Sequence, residues 1–171
     1  MTDDISGIVP SLMMLTSAVL AAGYLTASRR WVSEEGPRFR STVAVALLAV
    51  LAQATHFAEE LLTGFYRQFP AQFGAPSIPI DLFVNFNLAW LGIWVLSIVG
   101  LARRRKAAVF PLWFLAIAGA LNGLAHPALA VRVGGYFPGL ATSPLVGALG
   151  GILWIRLHSL TIGRTSRGGT A

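Results

Sequence analysis

Five side chains in this sequence have the types and spacing for chemistry: His56, Glu59 and Glu60 in LAQATHFAEELLTGFY, and Asn122 and His126 in GALNGLAHP. Two imidazoles with one or two carboxylates can hold a divalent ion such as Zn²⁺, Fe²⁺ or Mn²⁺. Such a site with an open position activates water or polarises a substrate oxygen. The same groups without a metal can act as a general acid and base, because a dry environment and neighbouring charges set two carboxyl groups apart. The H-x-x-E-E spacing differs from the H-E-x-x-H of zinc proteases, so that comparison does not carry over.

These residues sit in a chain that is otherwise strongly apolar. Its 171 residues are 55% hydrophobic and 12% charged, about half the charge of an ordinary soluble domain. Mean hydropathy is +0.67. Five runs have about the length needed to cross a bilayer as helices: Ile8–Ser28, Thr42–Gly64, Asp81–Ala102, Ala108–Val131 and Ser143–Ile162. The expected fold is an all-α integral membrane bundle of five transmembrane helices. It forms a single domain over residues 1–163, with a disordered cytoplasmic tail at 164–171. The opening MTDDISG lacks the positive charge of a secretory leader, so the first run reads as a retained span.

The connecting segments alternate in charge. Arg29, Arg30, Arg38 and Arg40, then Arg103 to Lys106, then Arg156, Arg164 and Arg167 fall on one side; only Arg67 and Arg132 fall on the other. The positive-inside rule places the first group in the cytoplasm, with the N-terminus outside and the C-terminus inside. Localisation is then the cell membrane, multi-pass. The net charge of +6 does not imply nucleic acid, because it lies in short clusters between apolar runs. Arg103 to Lys106 reads as a topology signal in contact with lipid headgroups. The absence of cysteine excludes disulfides, thiolate metal sites and cysteine nucleophiles.

Helical geometry brings the polar residues together. His56 and Glu60 share a face with Ala49, Gln53 and Gly64, and Glu59 lies within the same sector of roughly 100°. Gly119, Asn122, Gly123 and His126 form a similar stripe on the fourth run. Counted from the inner end of each span, His56 and Asn122 lie at about 21 Å, and Glu60 and His126 at about 27 Å. Asn85 and Asn87 of the third run fall in the same layer. The polar side chains therefore gather in the outer third of the bilayer, around a cavity open to the outer side. An unpaired carboxylate at a bilayer centre costs about 2.5–3.5 kcal/mol, so both glutamates need partners, water or a metal.

The motif His56, Glu59 and Glu60, with NGLAHP and the loop GGYFPGLATS, resembles the HXXEE family of small multi-spanning membrane proteins. The resemblance runs from about Thr42 to Gly151. It marks His56, Glu59, Glu60, Asn122, His126, Tyr136, Pro138, Gly139 and Thr142 as signature positions. The family has no assigned activity, so it implies a fold and a set of residues but no reaction.

The candidate catalytic set is His56, Glu59, Glu60, Asn122, His126 and Tyr136. The candidate metal ligands are His56, Glu59, Glu60 and His126. The simpler reading of Tyr136, Pro138 and Gly139 is a turn, with Thr142 or Ser143 capping the next helix and Asp81 capping the third. Trp90, Trp94, Trp113 and Trp154 read as packing or belt residues, and His158 as interfacial. Three functions remain open. One is an enzyme acting on a hydrophobic or lipid-like substrate by metal-assisted or acid–base chemistry: isomerisation, cyclisation or hydrolysis. Another is a structural or accessory protein whose network only fixes helix packing. The third, a proton or metal carrier, lacks a polar path through the inner half. Membrane lipids are the expected partners. The Gly119/Gly123 and Gly147/Gly151 pairs fit close packing within the monomer or in a homodimer.

Overall fold

Proline and glycine punctuate this chain where its helices begin and end. The computed structural model describes residues 5–31 and 36–163. A short 3-10 turn leads into α1 (Val9–Ser28), with Pro10 in its first turn. Helix α2 (Pro37–Thr63) starts on Pro37, where the missing N–H has no helical partner to lose. It ends at Gly64, whose φ of +82° suits glycine and whose N–H caps the Glu60 carbonyl at 3.0 Å. Then follow α3 (Phe65–Ala71), α4 (Ile80–Ala102), α5 (Val109–Val133) and α6 (Ser143–Ser159).

The architecture is all-α apart from one small ribbon. The strands β1 (Arg29–Trp31) and β2 (Thr161–Gly163) pair antiparallel and tie the end of α1 to the chain beyond α6. Four helical stretches, ending at Ser28, Thr63, Ala102 and Val133, are long and apolar enough to cross a membrane. The fifth run is shorter than its hydrophobicity suggests. Its helix stops at Ser159 and the chain enters β2, leaving 17 helical residues, or about 26 Å.

The distribution of side chains is that of a bundle whose solvent is lipid. Leu62 and Val131 are 85% and 82% exposed, while Glu60 and His126 are 6% and 2% exposed. In water the opposite arrangement would be the stable one.

Helices α5 and α6 make the most extensive contact, and α2 packs on α6 and α4. Their closeness comes from glycine. A Cβ on Gly123 would stand 2.6 Å from the Gly147 Cα, and one on Gly150 2.6 Å from the Ala120 nitrogen. Gly147 thus faces α5 as expected, but its partner along α6 is Gly150; Gly151 meets open space. The apolar core, centred on Leu112, Trp113, Leu153 and Leu157, fills the basic half of the bundle. The other half holds the buried His56, Glu60 and His126.

The segment after α2 begins with the short helix α3. Helix α3 folds Phe65 and Phe69 into a stack at 4.8 Å, and Phe65 leans on His126 at 5.6 Å. Pro79 precedes α4, so Asp81 lies inside the first turn rather than at the cap, and its side chain caps nothing.

Candidate metal centre

Three elements deliver the site. The last two turns of α2 carry His56, Glu59 and Glu60; α5 carries Asn122 and His126, followed by Pro127 within the helix. The loop between α5 and α6 starts at Gly134 and turns at Gly139, with φ values of 71° and 88°. It closes over both histidines.

His56 and His126 are buried, with ring centres 4.7 Å apart and planes at 88°. The Nε2 atoms of both point at the same oxygen, Glu60 Oε1, at 3.5 Å for His56 and 3.4 Å for His126. One ligand atom from each of the three residues lies within 4.8 Å of the others.

The outer nitrogens fix the tautomers. His126 Nδ1 is 2.6 Å from the Pro138 carbonyl, which can only accept, so Nδ1 carries the hydrogen. His56 Nδ1 is 2.7 Å from Thr142 Oγ1. The Thr142 hydroxyl is already donated to Glu59 Oε2 at 2.5 Å, so it accepts from His56. Both neutral imidazoles then present an Nε2 lone pair to Glu60.

A lone pair facing a carboxylate oxygen needs a positive charge between them. A proton on Glu60 satisfies one imidazole and leaves the other without a partner, which costs about 1–3 kcal/mol in a buried site. A metal ion satisfies all three groups together. Ligand atoms each about 2.0–2.2 Å from a tetrahedral ion stand about 3.3–3.6 Å apart. The two Nε2 to Oε1 separations match that edge and lie at the far limit of a hydrogen bond. His56 Nε2 has no hydrogen-bond partner. The donor set fits a divalent ion on chemistry, and two of its three separations match a tetrahedral edge, the third lying within 4.8 Å.

Glu59, expected as a fourth ligand, is placed differently. Its carboxylate accepts from the Tyr136 hydroxyl, from the Ala141 and Thr142 backbone N–H groups at 2.9 and 2.8 Å, and from the Thr142 hydroxyl. It anchors the loop and, through Thr142, holds the orientation of the His56 ring. Tyr136 is half exposed and touches the site only through Glu59. Loss of water at its hydroxyl, then the hydrogen bond to Glu59 and that carboxylate's charge, hold its phenol above the ordinary value.

Asn122 lines a cavity whose floor includes Glu60 and His126. Gln53 and Asn87 line it too; the Asn87 amide donates to the Phe83 carbonyl at 2.9 Å. Its volume is about 130 Å³. The walls are apolar: Leu12 and Leu15 of α1, and Phe86, Trp90 and Trp94 of α4. These two helices barely touch one another, so the cavity lies in a cleft between them. Asn85 is exposed on the opposite side of α4 from the cavity.

Thr142 is the functional residue that a reading of local pattern misses. It occupies the position before α6, but its hydroxyl caps no helical N–H. Its place among the signature positions was the available signal. The Pro138 carbonyl carries no such signal, because a backbone acceptor leaves no mark in side-chain chemistry.

A family model described as a protein of unknown function with HXXEE motif matches residues 47–153, more than half of the chain. The chain belongs to the HXXEE family. The matched region contains His56, Glu60 and His126 and the Glu59, Tyr136 and Thr142 cluster beside them. No curated protein and no solved structure matches the chain. The HXXEE motif here thus divides its labour: the histidine and second glutamate face each other, and the first glutamate holds the loop.

Proposed function

We propose that this HXXEE protein is a membrane-embedded metalloenzyme in which His56, Glu60 and His126 bind one divalent ion, Zn²⁺ before Fe²⁺ or Mn²⁺. The observation that carries this reading is the convergence of two Nε2 lone pairs on one carboxylate oxygen at 3.4 and 3.5 Å. An ion held by three protein ligands polarises a substrate oxygen and acidifies water, which suits hydrolysis or hydration. The chain's own residues do the rest. Glu59, through Thr142, holds His56 in the required tautomer. Gln53 and Asn122 offer amides to orient a polar group. The apolar walls take a hydrophobic, lipid-like substrate and exclude bulk water.

In this reading α6 completes a fifth crossing, with the N-terminus outside, the C-terminus cytoplasmic and the site in the outer third of the cell membrane. Removal of the metal would leave Glu60 to act as acid or base in an isomerisation or cyclisation. A purely structural role accounts for the four hydrogen bonds of Glu59 but gives no reason for the unpartnered His56 Nε2.

The test is metal analysis of chain purified in detergent without chelators and exposed in turn to Zn²⁺, Fe²⁺ and Mn²⁺. One ion per chain is expected, lost in His56→Ala and in Glu60→Gln while the helical circular dichroism is kept. Wild-type protein that takes up none of the three ions overturns the proposal.

A further inference from the structure

A second cavity, of about 340 Å³, lies at the basic end of the bundle, away from the metal centre. It is lined by Arg29 and Arg30 of β1, Lys106 before α5, Trp113 of α5 and Thr161 of β2, with Leu25, Thr26 and Val109. Three of these groups are cationic. Among the described residues the only carboxylates are Glu59, Glu60 and Asp81, and all three belong to the opposite end.

The donors here are both positioned and unspent. Arg29 Nε donates to Thr161 Oγ1 at 2.7 Å, and its NH2 group donates to the carbonyls of Thr161 and His158 at 2.8 and 3.2 Å. These contacts fix the guanidinium at the edge of the cavity. Arg30 Nε is buried and makes no hydrogen bond. Trp113 is fully buried, and its Nε1–H also has no hydrogen-bond partner. An indole N–H and a guanidinium can only donate, so what completes them is an acceptor. Buried donors are seldom left unpaired.

We propose that this cavity is an anion site for a phosphate group, held by Arg30, Lys106 and the Trp113 N–H, with Arg29 fixed beside them. Guanidinium and ammonium groups are the usual phosphate partners, and guanidinium offers a planar fork to its oxygens. The cavity sits where the charged ends of apolar helices meet headgroups, so an anionic phospholipid supplies the phosphate most directly. A soluble phosphate ester carries the same chemistry. The proposal is independent of the metal centre.

The experiment uses the full chain in detergent. Native mass spectrometry follows retention of phosphatidic acid against phosphatidylcholine, and calorimetry follows inorganic phosphate. Phosphatidic acid is expected to be retained and phosphatidylcholine not. Arg30→Gln/Lys106→Gln should weaken retention about tenfold or more, and the charge-matched control Arg103→Gln/Arg105→Gln less than about twofold. Trp113→Phe, which keeps an aromatic ring but removes the donor, should also weaken it. Lys106 is exposed, so Lys106→Gln alone tests the site without burdening the fold. If inorganic phosphate binds with this variant pattern and phosphatidic acid does not, the site stands with a soluble ligand. Equal losses in both charge pairs, or no dependence on Arg30, Lys106 and Trp113, overturn it.

Discussion

His56 Nδ1 and Thr142 Oγ1 stand 2.7 Å apart, and this contact decides which nitrogen of His56 faces Glu60. Glu59 holds the threonine hydroxyl from the other side at 2.5 Å. The sequence Glu59, Thr142, His56 therefore sets a tautomer on α2 through the residue that precedes α6. Such outer contacts commonly change metal affinity by about 10–100-fold when removed. Thr142→Val keeps the shape and removes the acceptor. Its metal affinity should fall within that range by competition with a chromophoric chelator, and Thr142→Ser should restore most of it. Wild-type affinity in the valine variant would remove the relay from the account.

Gly139 is the tightest point of the loop. Its φ is +88°, and a Cβ there would lie 2.6 Å from His126 Nδ1 and 2.8 Å from His56 Cε1. A non-glycine residue with left-handed backbone costs about 1–2 kcal/mol before any clash. Gly139→Ala should displace both rings and abolish metal uptake while the helical content stays near wild type. Gly135→Ala, where a Cβ meets nothing within 4 Å, should bind metal normally. Equal metal content in the two variants would contradict the packing described.

The helices and the His56, Glu60 and His126 convergence were legible because both follow from helical period and hydrophobic length. Residues four apart share a face wherever the helix lies. Depth counting then placed His126 level with Glu60. What stayed hidden depends on contacts far apart in sequence. Arg29–Trp31 and Thr161–Gly163 are too short to announce a ribbon, and each becomes a strand only beside the other. Glu59 reads as a ligand because it falls within the same sector of roughly 100° as His56 and Glu60. The loop that claims it begins at Gly134, on the far side of three helices. Spacing alone pairs Gly147 with Gly151, whereas the crossing of α5 and α6 brings Gly150 against Ala120 and leaves Gly151 in open space.

That crossing makes its own prediction. Gly147 has no room for a side chain, since a Cβ would stand 2.8 Å from the Gly123 Cα, whereas Gly151 has open space. Overpacking of a close contact costs about 1–3 kcal/mol. Gly147→Val should lower the thermal unfolding midpoint in detergent, and Gly151→Val should leave it nearly unchanged. A similar fall in both would mean that valine's effect on the helix, and not the contact, is being measured.

Tyr136 supplies a pH test. Its phenol is held above the ordinary value of 10.0, by loss of water at the hydroxyl and by the bond to Glu59. The protonated form is favoured in the folded state. Its stabilising contact is therefore fully present below about pH 10 and is lost as pH rises through the higher folded value. The phenolate absorbance of wild type minus Tyr136→Phe should show a step above pH 10, moving down in Glu59→Gln. A step at or below pH 10 in wild type would show that the hydroxyl is not engaged.

The cleft between α1 and α4 allows entry of a hydrophobic molecule to be tested apart from metal uptake. Ala125 lines the cavity on α5, one residue from His126, and Ala118 lies two turns deeper. An aromatic side chain at either position takes up much of the roughly 130 Å³ without touching a ligand atom's hydrogen bond. Ala118→Phe and Ala125→Phe should therefore keep one ion per chain but lose most labelling by a photoreactive fatty alcohol in phosphatidylcholine liposomes. In wild type the label should fall on α4 and α5 residues that line the cavity, such as Trp90 and Asn122. Labels spread evenly around the lipid-facing perimeter, and equal in the two variants, would mean that the hydrophobic substrate does not enter here. Loss of metal in the variants would instead indict the fold, and Leu12→Trp, at an exposed position of the α1 wall, would then carry the test.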